Sequence, residues 1–389
     1  MPDRISRIKE DFAELFGSSP EVIVKGPGRV DLMGIHTDYN DGFVLPVAVN
    51  VDVLAAGKLR DDNKTAVYSQ NFETLVEFSL DAIEFDNVNT WSNYVRGVIH
   101  FLKEAGVKLQ GANMVLHGNV PIGSGLSSSA AIEMATGFLM QTLVGFEMSG
   151  PDLALIGQKA ENKFVGVNTG IMAQFISRLG KKDSALFLDC RSLEYELLPL
   201  DTSKVKIVIC DTAKRRGLVD SEYDLRRSQC EEGARLFAQW YPNVKALRDV
   251  TSEMYEAHKA DLSEVVSKRV AHVVYEDERV LKSREVLKSG DFVEFGKLMN
   301  ASHDSARDLY QVSCFELDAM AEVARRAPGA LSCRMAGAGF GGCAVSLVRD
   351  EFVEQFLRVV AVEYEEKTKL TPSLYVCTAE DGASIIERL

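Results

Sequence analysis

Two stretches of the chain carry residue types suited to phosphate and hydroxyl chemistry. The first is Gly123-Ser124-Gly125-Leu126-Ser127-Ser128-Ser129-Ala130-Ala131. An apolar run, Met114-Val115-Leu116, leads towards it, and a helix-forming segment from Ala130 to Leu139 leaves it. Glycines let the backbone fold close around an anion. The helix start that follows offers unpaired N–H groups and the positive end of the helix dipole. The serines add hydroxyls able to bond phosphate oxygens or to ligate a metal. The stretch lacks the Gly-Lys-Ser/Thr ending of a P-loop, and taken alone it also reads as a serine-rich helix cap. The second stretch, Gly26 to Gly42, places Arg29, Asp31, His36 and Asp38 in what reads as a dense polar loop between apolar strands. Such a loop builds a site better than it builds a core.

The elements that must position these residues follow from periodicity and punctuation. Ile5, Ile8, Phe12, Leu15 and Phe16 recur at helical spacing, and Gly17-Ser18-Ser19-Pro20 stops that helix. Strands are expected at Val22–Val24, Phe43–Val49, Val51–Leu54, Thr65–Tyr68, Asn113–Leu116, Ala185–Leu188, Lys206–Cys210, Ala344–Leu347 and Tyr375–Cys377. Helices are expected at Trp91–Ala105, Pro151–Phe164, Asp220–Trp240, Ser263–Ser289, Asp291–Tyr310, Glu316–Arg326 and Glu351–Tyr364. A third glycine-bearing stretch, Arg334 to Cys343, reads as a turn between helix and strand.

At 389 residues the chain is long enough for two domains with substantial cores. A net charge of −13 supplies no basic surplus for general nucleic-acid binding, yet leaves room for a nucleotide in a local pocket. Seven widely spaced cysteines without a Cys-x-x-Cys pair fit reduced thiols rather than a disulfide frame or zinc site. The charged, amphipathic start is unlike a secretory signal, and no apolar run approaches a membrane span. A cytoplasmic protein, monomeric or weakly oligomeric, is expected.

Taken as an ordered set, residues 26–42, 121–131 and 334–343 resemble the motifs of the GHMP small-molecule kinases and, among them, the galactokinases. WSNYVRGVI, QKAENKFVGVNTGIM, LVDSEYDLRRSQCEE, HVVYEDERV and SHDSARDLYQVSCFELD are similar to further galactokinase blocks. The resemblance implies an α+β, two-domain fold. A ribosomal-protein-S5-like mixed α/β domain would occupy residues 1–200, and a ferredoxin-like α+β domain residues 201–389. It also implies transfer of the ATP γ-phosphoryl to the anomeric hydroxyl of galactose or a galacto-configured sugar, with Mg²⁺. By that resemblance Gly123, Ser124, Gly125, Leu126, Ser127, Ser128 and Ser129 wrap the triphosphate, with Gly337 and Gly339 from the third motif and Trp91 near the adenine. Ser129 and Glu161 match the magnesium contacts. Arg29 matches the catalytic arginine, His36, Asp38, Gly170 and Tyr223 match sugar contacts, and Arg215 falls where a basic residue is common.

The chain departs from the pattern at two places in particular. Ala173 stands where galactokinases carry the aspartate regarded as the base, and a methyl group accepts no proton. General-base catalysis is typically worth about 10²–10⁴-fold in rate. A catalytically impaired pseudokinase that binds sugar and ATP, an engineered base knock-out and an enzyme working without that base all fit this position. Ile35 stands where the family has a glutamate towards the sugar C6 end, which makes L-arabinose, D-fucose or a 6-O-substituted galactose alternative substrates. Asp31, where asparagine is usual, and Ala338, where glycine is usual, are milder changes.

Overall fold

Residues 3–121, 125–215 and 219–389 are described by the computed structural model. Asp3 caps the first helix, Arg4–Phe16, by accepting from the Ser6 amide at 2.9 Å, and Gly17 ends it in the left-handed region. Ile8 and Phe12 on its inner face pack on Ile23, Leu54 and Val115. The strands of the larger sheet are β1 (Val22–Met33), β2 (Phe43–Leu59), β3 (Lys64–Ser69), β4 (Thr74–Ser79), β5 (Ala112–Gly118), β6 (Ser184–Asp189) and β7 (Tyr195–Pro199). The smaller sheet is made of β8 (Val205–Asp211), β9 (Ala330–Met335), β10 (Cys343–Arg349) and β11 (Ser373–Cys377), and a last strand β12 (Ser384–Arg388) returns to the first sheet.

The larger sheet is mixed. Its order is β12-β1-β2-β5-β3-β4, with β6 on β2 and β7 on β6, and β3 runs parallel to β5. Helices Ser92–Glu104, Ser128–Val144 and Gly150–Lys159 pack on it, and their apolar faces build the main core with Val30, Leu32, Leu45 and Met114. The smaller sheet has the antiparallel order β11-β8-β10-β9. With helices between β8 and β9, and Val353–Thr368 between β10 and β11, it is a βαββαβ unit of the ferredoxin-like kind.

One element differs from the sequence reading in a way that matters for the site. The polar stretch from Gly26 is a strand up to Met33, and only residues 34–42 form a loop. β1 pairs with β2 from Val22 opposite Gly57 to Met33 opposite Leu45, with register shifts between Pro27 and Arg29 and between Asp31 and Met33. Two charged residues survive inside a buried strand because they neutralise each other: Arg29 Nε lies 3.0 Å from Asp31 Oδ1. Strands β4, β7, β9 and β12 and the helices Met172–Leu179 and Ser252–His258 are likewise absent from the periodicity reading. Each is eight residues or shorter, too short for a pattern to declare itself.

Helix Glu264–Ser289, capped by Ser263 on the Val266 amide, runs behind the 34–42 loop and holds it. Glu276 accepts hydrogen bonds from the amides of Gly34 (3.0 Å) and Ile35 (3.2 Å), and Asp277 accepts from the Phe43 amide at 2.9 Å. Burial alone would raise the Glu276 carboxyl, but the charges of Arg279 and Arg334 and the Ser302 hydrogen bond bring it down to about 2. Burial pushes His272 down to about 4, so the ring is neutral, with Nε2 donating to the Ile35 carbonyl at 3.0 Å and Nδ1 accepting from Ser305. A buried His with a depressed folded value binds a proton more readily when unfolded. Its penalty is therefore absent above about pH 6.5 and grows as pH falls towards 4. Urea unfolding should show stability declining across that window by up to about 3 kcal/mol from this residue. His272→Gln should remove that part of the slope, and an unchanged slope would refute the assignment.

Candidate functional site

A polar cavity of about 470 Å³ opens where β1, the 34–42 loop, the start of helix Ser128–Val144, residues 166–173 and the 337–338 turn meet. That volume is in the usual range for small-ligand sites. At its phosphate-suited end, Ser127 adopts the left-handed region (φ 56°) and Ser128 starts the helix, a start whose first-turn N–H groups suit an anion. β1 fixes this turn: the Arg29 amide donates to the Leu126 carbonyl at 3.0 Å, and the Arg29 guanidinium donates to the Gly125 carbonyl. Gly125, Leu126, Ser127, Ser128 and Ser129 all line the cavity. Gly123 and Ser124 lie outside the described residues.

Glu161 sits where helix Gly150–Lys159 passes into a π-helical turn, Ala160–Val165, ended by Gly166 at φ 90°. π-turns recur at functional sites because they re-aim a side chain. Glu161 is 4% exposed. Thr169 Oγ1 (3.0 Å) and Gln174 Nε2 (2.6 Å) both donate to its Oε2, and the Ser129 hydroxyl also bonds to the carboxyl. Burial raises its pKa, partly offset by those three hydrogen bonds. The same Gln174 amide donates to Glu133 Oε2 at 2.9 Å, where complete burial and the Glu161 charge raise the second carboxyl well above its ordinary range. Gln174 thus separates two buried carboxyls.

At the opposite end Asp38 lies against Gly170, whose backbone is so close that a Cβ would overlap the Asp38 carboxyl; only glycine fits. Burial, with the neighbouring Asp31 charge adding, pushes Asp38 up to about 6. His36 (φ 59°) donates or accepts through Nδ1 at Tyr39 Oη (2.8 Å), and its Nε2 lies 3.2 Å from the Ala338 carbonyl. Its ring meets those of Tyr223 (5.3 Å) and Tyr310 (4.9 Å), and Tyr39 bonds Tyr310 at 2.6 Å. Ile35 lines the cavity but is 3% exposed, and its side chain belongs to the apolar cluster with Tyr310, Met335 and Val273. It therefore joins the loop to the second core. Ala173 lies in the first turn of helix Met172–Leu179 and presents its methyl to the cavity.

A second, more apolar cavity of about 540 Å³ is lined by Trp91, Phe72, Phe85, Tyr94 and Val165. Trp91 stacks on Phe72 with ring centroids 5.8 Å apart and planes 8° from parallel. Tyr94, Ser128 and Ser129 line both cavities, so the two are contiguous at the helix start. Gly337 reaches the polar cavity. Gly339 is not among its lining residues; it packs so tightly on the Val312 carbonyl that a Cβ would overlap it. Arg215 is exposed and also absent from the lining. The sequence reading did not single out Phe72, Tyr39, Tyr310, Thr169, Gln174 or Glu276. Aromatic and amide residues carry no motif of their own, although Tyr39, Thr169 and Gln174 stand within a few residues of positions that it did name.

A mixed sheet and a ferredoxin-like unit, with a polar cavity at the start of a helix between them, are the architecture of the GHMP small-molecule kinases. Three family models match: the galactokinase galactose-binding signature over residues 10–59, the GHMP kinase N-terminal domain over 93–181 and the GHMP kinase C-terminal domain over 283–364. The galactokinase of Roseiflexus sp. is 45% identical over 375 residues, 96% of this chain and 95% of that protein. That of Fusobacterium nucleatum is 42% identical over 388 residues, 98% of this chain and the whole of that protein. The crystal structure of Lactococcus lactis galactokinase complexed with galactose superposes with a TM-score of 0.93 at 38% identity, covering 98% of this chain and 99% of that one. Mevalonate kinase of Methanococcus jannaschii shares the fold alone, at 17% identity and a TM-score of 0.65 over 94% of this chain and all of its own. The chain belongs to the galactokinase family, and it is a phosphotransferase of the sugar 1-kinase type. Among the described residues no helix is long and apolar enough to cross a membrane.

Removing the shared donor between Glu133 and Glu161 leaves two buried carboxyls without their common partner. An unsatisfied buried group costs about 1–3 kcal/mol. Gln174→Ala should therefore lower the urea-unfolding free energy by about that much. A loss below about 0.5 kcal/mol would show that solvent already serves these groups.

Proposed function

We propose that this chain transfers the γ-phosphoryl of ATP to the anomeric hydroxyl of galactose. The observation that carries this reading is the meeting of the two cavities at Ser128 and Ser129. An apolar, stacking cavity suits the nucleoside, with Trp91 beside the adenine. The helix start then holds the phosphates, and the polar cavity beyond receives the sugar. The triphosphate lies between the two, which is the in-line arrangement that phosphoryl transfer needs.

Asp38 accepts hydrogen bonds from neighbouring sugar hydroxyls, while His36 and Tyr223 supply the polar tips and ring faces of the sugar wall. Gly170 lets the backbone approach the ring. Arg29, held by the Gly125 carbonyl, places its guanidinium between sugar and phosphate, where it stabilises charge on the moving phosphoryl group. Gly337 closes the phosphate side. Ser129 and Glu161 would hold Mg²⁺: a buried carboxyl bonded to a neighbouring hydroxyl supplies the few protein oxygens that this cation takes beside phosphate and water. Bound there, the cation would neutralise charge on the β- and γ-phosphates. The wide spacing of the seven cysteines, without a Cys-x-x-Cys pair, is the basis for our reading of a reducing, cytoplasmic setting. A monomer or weak oligomer is our reading of its state.

The full-length similarity to galactokinases favours an active enzyme over a sugar-binding pseudokinase. It also favours galactose over L-arabinose, D-fucose or 6-O-substituted galactose. The packing of Ile35 in the second core gives that residue a structural reason for being apolar. ADP release measured over a sugar panel should be fastest with galactose; a clear preference for a sugar lacking or masking the C6 hydroxyl would overturn the substrate choice. Gly170→Ala should displace the Asp38 carboxyl and weaken galactose binding at least about tenfold by calorimetry, a loss of about 1.4 kcal/mol, with ATP binding nearly unchanged. Equal loss for both ligands would place Gly170 outside the sugar site.

A further inference from the structure

His36 lines the polar cavity in an uncommon conformation, and what holds it reaches well behind the cavity wall. Its backbone is left-handed (φ 59°), a region that few residues other than glycine enter and that surrounding contacts must fix. Asn40 Nδ2 donates to the His36 carbonyl at 2.9 Å and so holds the backbone. The ring is 5% exposed and is bound at both nitrogens. Nδ1 lies 2.8 Å from Tyr39 Oη, and Nε2 lies 3.2 Å from the Ala338 carbonyl. The contacts continue inward: Tyr39 Oη lies 2.6 Å from Tyr310 Oη, and Tyr310 Oη lies 3.0 Å from Cys230 Sγ. Tyr310 and Cys230 are buried, and Tyr39, Tyr310 and Cys230 all stand behind the residues that line the cavity.

The direction of each bond follows from counting protons. A carbonyl only accepts, so Nε2 carries a hydrogen. Burial disfavours a charged ring, and a neutral imidazole with its hydrogen on Nε2 accepts at Nδ1. Tyr39 spends its one proton on that nitrogen, so its oxygen accepts from Tyr310. Tyr310 in turn accepts from the Cys230 thiol. Burial raises both phenols well above their ordinary range and pushes the thiol up to about 11, so all three keep the protons that this order of bonds requires.

We infer that Tyr39, Tyr310 and Cys230 are positioning residues that fix the His36 proton on Nε2 and so make the ring a hydrogen-bond donor towards the sugar. This rests on the sugar-kinase reading above. The Ala338 carbonyl that holds Nε2–H lines the same cavity, and the bond is at the long end of the usual range. A sugar hydroxyl oxygen entering there takes or shares that hydrogen. Asp38 accepts from sugar hydroxyls and His36 donates to one, so the site meets the sugar with a fixed group of each kind. Tyr310 comes from the π-turn Ala306–Tyr310 and Cys230 from helix Val219–Trp240. The C-terminal half thus sets the donor pattern of a loop in the N-terminal half.

The test labels the histidines of the full chain with nitrogen-15 and reads the His36 ring nitrogens by long-range proton–nitrogen NMR near neutral pH, beside the KM values for galactose and ATP. The chain has six histidines, and the His36 pair is identified by its loss in His36→Gln. An unprotonated Nδ1 and a protonated Nε2 are expected; a proton on Nδ1, or on both nitrogens, overturns the inference. Tyr39→Phe removes the donor, so the ring should leave the single Nε2–H form. The galactose KM should then rise about tenfold, the worth of one hydrogen bond, with kcat and the ATP KM changed less than about threefold. Tyr310→Phe and Cys230→Ala should move both readouts the same way and less, and Cys230→Ser, which restores a donor, should bring them back. Running both phenol variants keeps poor folding of one from deciding the result. A purely packing role lowers stability without moving the nitrogen shifts, so unchanged shifts in both phenol variants overturn the inference. The expected spectrum in a chain that releases no ADP with galactose removes the sugar-kinase reading and the donor role with it. Galactose turnover with the other proton placement removes only the relay.

Discussion

The buried carboxylate of Glu276 is the interaction on which the site depends. It belongs to a helix of the C-terminal half, yet it takes the amides of Gly34 and Ile35 just beyond the end of β1. A buried charge of this kind is costly unless fully served, and here Arg279 (2.8 Å) and Ser302 (2.5 Å) complete the shell. His272 takes the Ile35 carbonyl, so both backbone groups of residue 35 are bound to the same helix. The loop carrying His36 and Asp38 is thereby held by both halves of the molecule, and its side chains meet residues that lie far away in the chain.

The site itself is a division of labour between rigid parts. β1, paired with β2 over its length, sets Arg29 and Asp31. The turn that leads into helix Ser128–Val144 is anchored to β1 through Leu126 and Gly125. Asp38 and Gly170 touch across 132 residues of sequence, and Tyr223 comes from a third segment. Polar groups in such a setting act in a dry, pre-arranged environment, which is where fixed charges stabilise a transferring phosphoryl group best.

Parts of this were legible in the residues alone. The Gly-Ser stretch announced a close backbone turn and a helix start, and both are there from Gly125 onward. Long helices with clear apolar spacing, such as Ser92–Glu104 and Glu264–Ser289, stand within a residue or two of their expected ends. The polar run from Gly26 misled because charged residues normally mark exposed backbone. The ion pair that lets Arg29 and Asp31 enter a buried strand is visible only once both side chains are placed.

By itself the sequence determined what is local: where helices begin, which residues accept φ > 0, and the ordered motifs that place the chain among sugar kinases. Those properties depend on neighbours a few residues apart, whose sterics and hydrogen bonding are written in the segment. Only the tertiary structure decided that Asp31 is buried as the partner of Arg29, that Ile35 packs into the second core, and that Gly339 supports its turn from outside the cavity. Each of these depends on strand register and on helix packing across a hundred residues or more. The free energy of such contacts is collective, and no single stretch of residues encodes it.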